Sequence, residues 1–153
     1  RNLKPMYLPI NLNIDRQSLL IVGGGKVALH KLESLERFTR NIHVVAPEIC
    51  EGIRRRAWVT LHERPYRAGD LDGHLLVYAA TSVRSVNQQV VSDAAGRPIL
   101  VTVADAPAEG DFISPAIYLQ DNMSVAVSSN GTDVKASVRW RNALQAYLQN
   151  TTL

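Results

Sequence analysis

A single cysteine, Cys50, is the entire thiol content of the 153-residue chain. An internal disulfide framework is thereby excluded, and the usage is that of a reducing compartment, which predicts a cytoplasmic protein. No motif surrounds Cys50, so it reads as a small space-filling residue near a helix. Aromatic residues make up only 6% of the chain, too few to stack a run of bases, and no nucleic-acid module accompanies the one basic run, Arg54-Arg55-Arg56. Nucleic acid is therefore not an expected partner. No apolar run reaches transmembrane length, and the first residues lack the basic-then-apolar layout of a secretion signal, so no membrane is expected either. His30, His43, His62 and His74 stand at no metal-ligand spacing from one another, from cysteine or from a carboxylate. They read as structural, and no metal site is expected. A Ser-His-Asp set or nucleophile elbow is also missing.

What is present suits one well-buried domain with a small extension: 46% apolar and 20% charged residues. The net charge of +3 is compatible with an anionic ligand. The most informative stretch is Leu19-Leu20-Ile21-Val22-Gly23-Gly24-Gly25-Lys26-Val27-Ala28. An apolar strand runs into three glycines and a helix opens at once, the context that a dinucleotide-binding Gly-x-Gly-x-x-Gly/Ala motif requires. Gly23 lets the chain turn out of the strand, Gly25 lets the backbone lie against a pyrophosphate, and Ala28 is the small residue for close helix–strand contact. The first-turn amides then face an anion at the positive end of the helix.

Strands are expected at Ser18 to Val22, Ile42 to Ala46, Val59 to His62, Leu75 to Ala80 and Ile99 to Val103. Helices are expected from Lys26 to about Phe38, from Glu48 to Arg56, and from a Thr81 or Ser82 cap to about Ala95. This alternation predicts an α/β, Rossmann-like, doubly wound parallel sheet. Residues before it, with Pro5 and Pro9, read as an extended arm across a sheet edge. After it the pattern changes. Phe112 to Leu119 and Met123 to Ser128 read as a strand pair turning at Gln120-Asp121-Asn122, followed by a helix from Asp133 to Gln149 with Val134, Val138, Leu144, Tyr147 and Leu148 on its apolar face. The expected division is residues 1–111, a nucleotide-binding domain with its arm, and residues 112–153, a small strand-pair-plus-helix appendage for dimerisation and the substrate pocket. So small an appendage buries little surface by itself, which predicts packing against a second copy.

Ligands of such sheets bind beyond the carboxyl ends of the strands. The loops meeting there are Gly23-Gly24-Gly25, Ala46-Pro47-Glu48, Ala79-Ala80-Thr81-Ser82 and Ala104-Asp105-Ala106-Pro107. The acid that usually meets the adenosine ribose is displaced here: the strand ends at Ala46 and the nearest acid is Glu48. Main-chain groups of Pro47 and Glu48 are therefore expected to take that contact, and with no arginine at the strand tip the pattern favours NAD over NADP, unless Arg54 to Arg56 turn toward the pocket. Ala80 lets the chain approach the cofactor and Thr81 can reach its ribose; equally, these residues suit a strand end and a helix cap. Asp105 is the strongest working side chain, a carboxylate able to take a proton or steady a metal ion, with a turn-forming aspartate before Ala106-Pro107 as the plain alternative.

Leu8-Pro9-Ile10, Ile21 to Ala28 with Lys31, Val44-Val45-Ala46-Pro47-Glu48, Ala79-Ala80-Thr81 with Asn87, Asp105-Ala106-Pro107, Phe112-Ile113-Ser114-Pro115-Ala116 and Val125-Ala126-Val127-Ser128-Ser129 occur in this order. Together they closely resemble the precorrin-2 dehydrogenase / sirohydrochlorin ferrochelatase family, the dehydrogenase module of siroheme synthases. The resemblance covers nearly the whole chain. It implies NAD-dependent oxidation of precorrin-2 to sirohydrochlorin, with Fe²⁺ as a chelation substrate in some members, and a homodimer with interlocked appendages. It further implies that Gly23, Gly24, Gly25, Lys26, Val27, Pro47, Glu48, Ala80 and Thr81 hold the dinucleotide, that Asp105 is catalytic, and that Ser128 and Ser129 line the tetrapyrrole pocket. After Ser129 the family usually has Gly-Gly and then a Ser-Pro helix start, whereas this chain reads Asn130-Gly131-Thr132-Asp133. That departure bears on the substrate contacts and the iron step. The 153 residues leave no room for the methyltransferase domain of fused siroheme synthases. The rival reading from another class is a non-catalytic dinucleotide sensor with a regulatory dimerisation segment.

Overall fold

In a computed structural model that describes residues 5–153, strands alternate with helices as far as residue 103, except that the third and fourth strands are joined only by a 3-10 turn (Ala68–Leu71). The order is β1 (Ser18–Val22), α1 (Lys26–Leu35), β2 (Ile42–Ala46), α2 (Glu51–Arg54), β3 (Thr60–Glu63), β4 (His74–Ala79), α3 (Arg84–Ala94) and β5 (Leu100–Val103). The five strands form one sheet in the order β3-β2-β1-β4-β5, every pairing parallel. Both faces of the sheet are covered, which is why its strands read as continuous apolar runs rather than alternating ones. Leu19, Ile21, Ile42 and Val44 pack with Ala28 and Leu32 of α1 on one face. Leu20, Val22, Val77, Val101 and Val103 pack with Val90 and Ala94 of α3 on the other. This is the doubly wound arrangement, with the order reversing between β1 and β4 where the chain changes face.

The outer edge of β5 is closed by its own return segment. The Asp111 amide donates to the Val101 carbonyl at 2.6 Å, the Val101 amide donates to Asp111 Oδ2 at 2.9 Å, and the Ala106 amide donates to the Val103 carbonyl at 3.3 Å. Beyond it, β6 (Ala116–Gln120) and β7 (Met123–Val127) form an antiparallel pair, and α4 (Val134–Gln149) follows.

Contacts divide the chain into two compact units, Ile10–Phe112 and the C-terminal Ile113–Leu153 together with residues of the arm up to Pro9. The expected arm across a sheet edge is corrected in part. Residues 5–14 join neither sheet, and Met6, Leu8 and Ile10 are exposed; the first four residues of the arm lie outside the described residues. What holds the arm is Asn130, whose Oδ1 accepts from the Tyr7 amide (2.9 Å) and whose Nδ2 donates to the Pro5 carbonyl (2.6 Å). Asn130 and Gly131 both have positive φ, 58° and 76°. Asparagine tolerates that region, so the turn holds a left-handed backbone over both residues.

Several boundaries differ from expectation for identifiable reasons. α1 ends at Leu35, and the Phe38 amide closes a final turn onto the Leu35 carbonyl. α2 is only four residues long, because residues 48–50 are held against the glycine loop. α3 starts at Arg84 and has no side-chain cap: Thr81 makes its turn before the helix instead of capping it. The first strand of the hairpin starts at Ala116 rather than Phe112, whose ring packs edge-on against Tyr78 with centroids 5.6 Å apart. On α4, Asp133 accepts from the Ala136 amide as the N-cap, yet Val134, Trp140, Leu144 and Tyr147 are exposed.

Candidate dinucleotide-binding and catalytic site

Three glycines in a row meet three different surroundings. Gly23 has φ of 139°, and a Cβ there would collide with the Ala80 carbonyl. At Gly24 a Cβ would collide with the Glu48 carbonyl and come within 2.9 Å of the Ala46 side chain. Its carbonyl also accepts from the Cys50 amide at 2.8 Å. These two glycines are demanded by the protein itself, because the loops after β2 and β4 close in on either side. Gly25 is not. Its φ is −100° and nothing lies within 4 Å of where a Cβ would be.

That open volume sits directly at the start of α1, beside exposed Lys26 and Val27. The first-turn amides have no helical acceptors and carry the positive end of the helix dipole. A pyrophosphate fits there: it needs close backbone approach and unpaired donors, and both are present. Ala28, fully buried, lets the helix lie close on the sheet. Pro47 and Glu48 are exposed at the carboxyl end of β2, with the Glu48 backbone against Gly24.

At the carboxyl end of β4 the geometry is set by Asn87, which is completely buried. Its Oδ1 accepts from the Thr81 amide (3.1 Å) and lies 2.9 Å from the Thr81 hydroxyl. Its Nδ2 donates to the Thr81 carbonyl (3.0 Å) and to Asp105 Oδ1 (3.1 Å). All of the amide's hydrogen-bonding capacity is therefore used. The Thr81 hydroxyl is engaged inside the loop, also 2.9 Å from the Val83 carbonyl, and the Thr81 amide and carbonyl are both held by Asn87, so the loop is fixed in shape and offers no free hydroxyl.

Asp105 follows β5, and its carboxylate is 39% exposed. It bonds to Asn87 and to Arg84 Nη1 (3.1 Å), not to the backbone of its own turn. This separates the two readings of the residue: the side chain is held out at the sheet edge. Arg84 also pairs with Glu109, and these two partners, Glu109 first, hold its pKa above the ordinary arginine value. Sequence reasoning missed Arg84 altogether and met Asn87 only within a motif. The available signal was an amide on the first turns of a helix, where asparagine is a poor helix former without a tertiary role.

The structure thus brings Gly23, Gly24, Gly25, Lys26, Val27, Pro47, Glu48, Ala80, Thr81 and Asp105 to the carboxyl edge of one sheet. Ser128 and Ser129 belong to the other unit. There Ser128 is exposed, and Ser129 Oγ accepts from the Asp133 amide at 2.7 Å at the start of α4. Among the described residues no group of three or more His, Cys, Asp or Glu side chains is arranged to hold a metal ion, and no helix is long and apolar enough to cross a membrane.

A family described as "Putative NAD(P)-binding" matches residues 10–116. The chain belongs to this NAD(P)-binding family. Its cofactor class is accordingly a nicotinamide dinucleotide, in agreement with the open cradle at Gly25. The chain is 38% identical over 128 residues to a siroheme synthase of Nitrosococcus oceani, covering 82% of this chain and 27% of that protein. It is 36% identical over 148 residues to a siroheme synthase of Photorhabdus laumondii, covering 95% of this chain and 32% of that one. The chain therefore spans about a third or less of the length of these curated relatives. Among solved structures it is similar to SirC, precorrin-2 dehydrogenase, with a TM-score of 0.78 and 24% identity, over 94% of this chain and 74% of that one. That similarity extends the fold assignment to both units.

Proposed function

We propose that the chain is a dehydrogenase acting on precorrin-2, oxidising it to sirohydrochlorin with NAD, the reaction of the dehydrogenase module of siroheme synthases. The observation that carries this reading is the exposed Asp105 carboxylate, held through buried Asn87 to the Thr81 loop on the same sheet edge as the glycine loop. A sensor of dinucleotides has no use for such a carboxylate.

The oxidation removes two hydrogens from the substrate, one as hydride and one as a proton. NAD, when bound, supplies the hydride acceptor. The amides at the start of α1 bind and orient its pyrophosphate, Pro47 and Glu48 take the adenosine end, and the Ala80–Thr81 loop flanks the way to the reacting ring. Asp105 accepts the proton at a carboxylate oxygen. Its hydrogen bond from Asn87 and its ion pair with Arg84 keep that oxygen oriented. Ser128 and Ser129 are proposed contacts for the substrate carboxylates. The exposed apolar residues of α4, Val134, Trp140 and Tyr147, are proposed as the homodimer contact, and the single cysteine supports a cytoplasmic setting.

The test is anaerobic generation of precorrin-2 in the presence of the chain, following the sirohydrochlorin spectrum with and without NAD. NAD-dependent appearance of sirohydrochlorin is expected. Asp105→Ala should retain NAD binding and lose turnover by about 100-fold or more, the scale of a general base. Retained binding with no turnover in the unsubstituted chain would leave the sensor reading standing. Supplying Fe²⁺ with sirohydrochlorin and no NAD separately reads whether iron is inserted.

A further inference from the structure

The arginine run after β2 points in different directions, and one of the three bears on the cofactor. Arg56 turns to Glu36 at the end of α1, with contacts of 2.6 and 3.1 Å. Arg54 turns the other way: its Nε donates to the Ile49 carbonyl at 2.9 Å, and its Nη2 pairs with Glu63 Oε1. Ile49 lies in the loop whose neighbours Glu48 and Cys50 abut Gly24. Glu63, the last residue of β3, is in register with Ala46, the last of β2. The Arg54 guanidinium is thus fixed at the carboxyl edge just beyond β2, between the loop that touches the glycines and a carboxylate.

In this class of sheet the adenosine ribose lies beyond the end of β2, where an arginine accepts the 2′-phosphate of NADP and an acid favours the free hydroxyls of NAD. We propose that Glu63 sets the choice of dinucleotide by holding Arg54: paired, the arginine offers no free charge to a 2′-phosphate, and the enzyme selects NAD. The proposal rests on the dinucleotide reading and deepens it. The two side chains are 37% and 46% exposed, and an exposed ion pair contributes little to folding, so Glu63 can be changed without loss of the sheet. Arg55, exposed and next to Arg54 in sequence, is unchanged in every variant used and cancels from the comparison.

The experiment is calorimetric titration of the full chain with NAD and with NADP at low salt, for the unsubstituted protein, Glu63→Gln, Arg54→Gln and the double variant. The unsubstituted chain should bind NAD more tightly than NADP. Glu63→Gln should raise the NADP-to-NAD affinity ratio on the order of tenfold, the worth of one charge-assisted phosphate contact. In the Arg54→Gln background the same change should leave the ratio where it was. An unchanged ratio in Glu63→Gln overturns the proposal while leaving NAD binding intact. So does a gain that persists without Arg54, which would reflect only the loss of a repelling carboxylate. Unsubstituted protein that binds neither dinucleotide overturns the underlying reading as well, and that shows in the first titration. Glu63→Ala, with a thermal midpoint recorded for each variant, guards against a substitution-specific folding defect.

Discussion

Gly23 and Gly25 are the same residue two positions apart, and they answer to different masters. At Gly23 a side chain meets both a left-handed φ and the Ala80 carbonyl, so Gly23→Ala should destabilise the chain by roughly 2 kcal/mol or more, read as a lowered urea midpoint. At Gly25 the backbone is ordinary and the space is empty. Gly25→Ala should leave that midpoint unchanged and weaken NAD binding by about tenfold, the cost of pushing the pyrophosphate off the helix amides. The spacing of the glycines was legible in the sequence because the motif is a chain of consecutive residues. Their separate causes were not, because what crowds Gly23 and Gly24 comes from loops more than 20 residues away. Asn87 shows the same limit: its place on the first turns of a helix hints at a tertiary role, but that its partners are Thr81 and Asp105 is decided by the fold.

At the scale of elements, β2, β3 and β4 carry a histidine each on the face covered by α3. His43 Nδ1 lies 3.0 Å from His62 Nε2 with the rings stacked, and the His74 ring meets His43 edge-on with centroids 4.9 Å apart. Burial holds His43 below its ordinary pKa, with the neighbouring His74 and His62 adding to the effect. Burial likewise lowers His74, with His62 adding to the effect and a hydrogen bond with the Ser18 backbone and the charge of Asp70 opposing it. A lowered pKa means that the unfolded chain takes up protons more readily than the fold. Stability from these groups is therefore present above the unfolded histidine value of about 6.5 and is lost as pH falls below it. Urea midpoints should fall between pH 7.5 and pH 5.5, and His43→Gln should flatten that slope; an unchanged slope would remove His43 as a cause. The five strands of the parallel sheet were legible within about a residue at each end, since burial on both faces leaves long apolar runs, whereas the first hairpin strand begins four residues later than its apolar run. Helix ends were less so. α2 shortens and α3 starts late because tertiary bonds to the glycine loop and to Asn87 decide where helical geometry begins.

For the whole molecule, the change of pattern near residue 112 was plain in the sequence, as strand–helix alternation gave way to a hairpin and a last helix. The place of the arm was not, because Asn130 reaches it across more than 120 residues. The second unit leaves Trp140 68% and Tyr147 62% exposed, an uncommon cost for a unit that stands alone. Trp140→Glu should convert the proposed dimer to a monomer in sedimentation velocity with the helical circular-dichroism signal retained. A monomeric unsubstituted chain would remove α4 as the contact.

The closure of β5 by Asp111 has its own consequence. A sheet whose one border strand is already bonded to its return segment has, among the described residues, only β3 left as an open margin. Two copies that stray together margin to margin use up both open sides at once, and a third finds none. Strand-to-strand accretion through this sheet therefore terminates at a pair instead of propagating into a fibre.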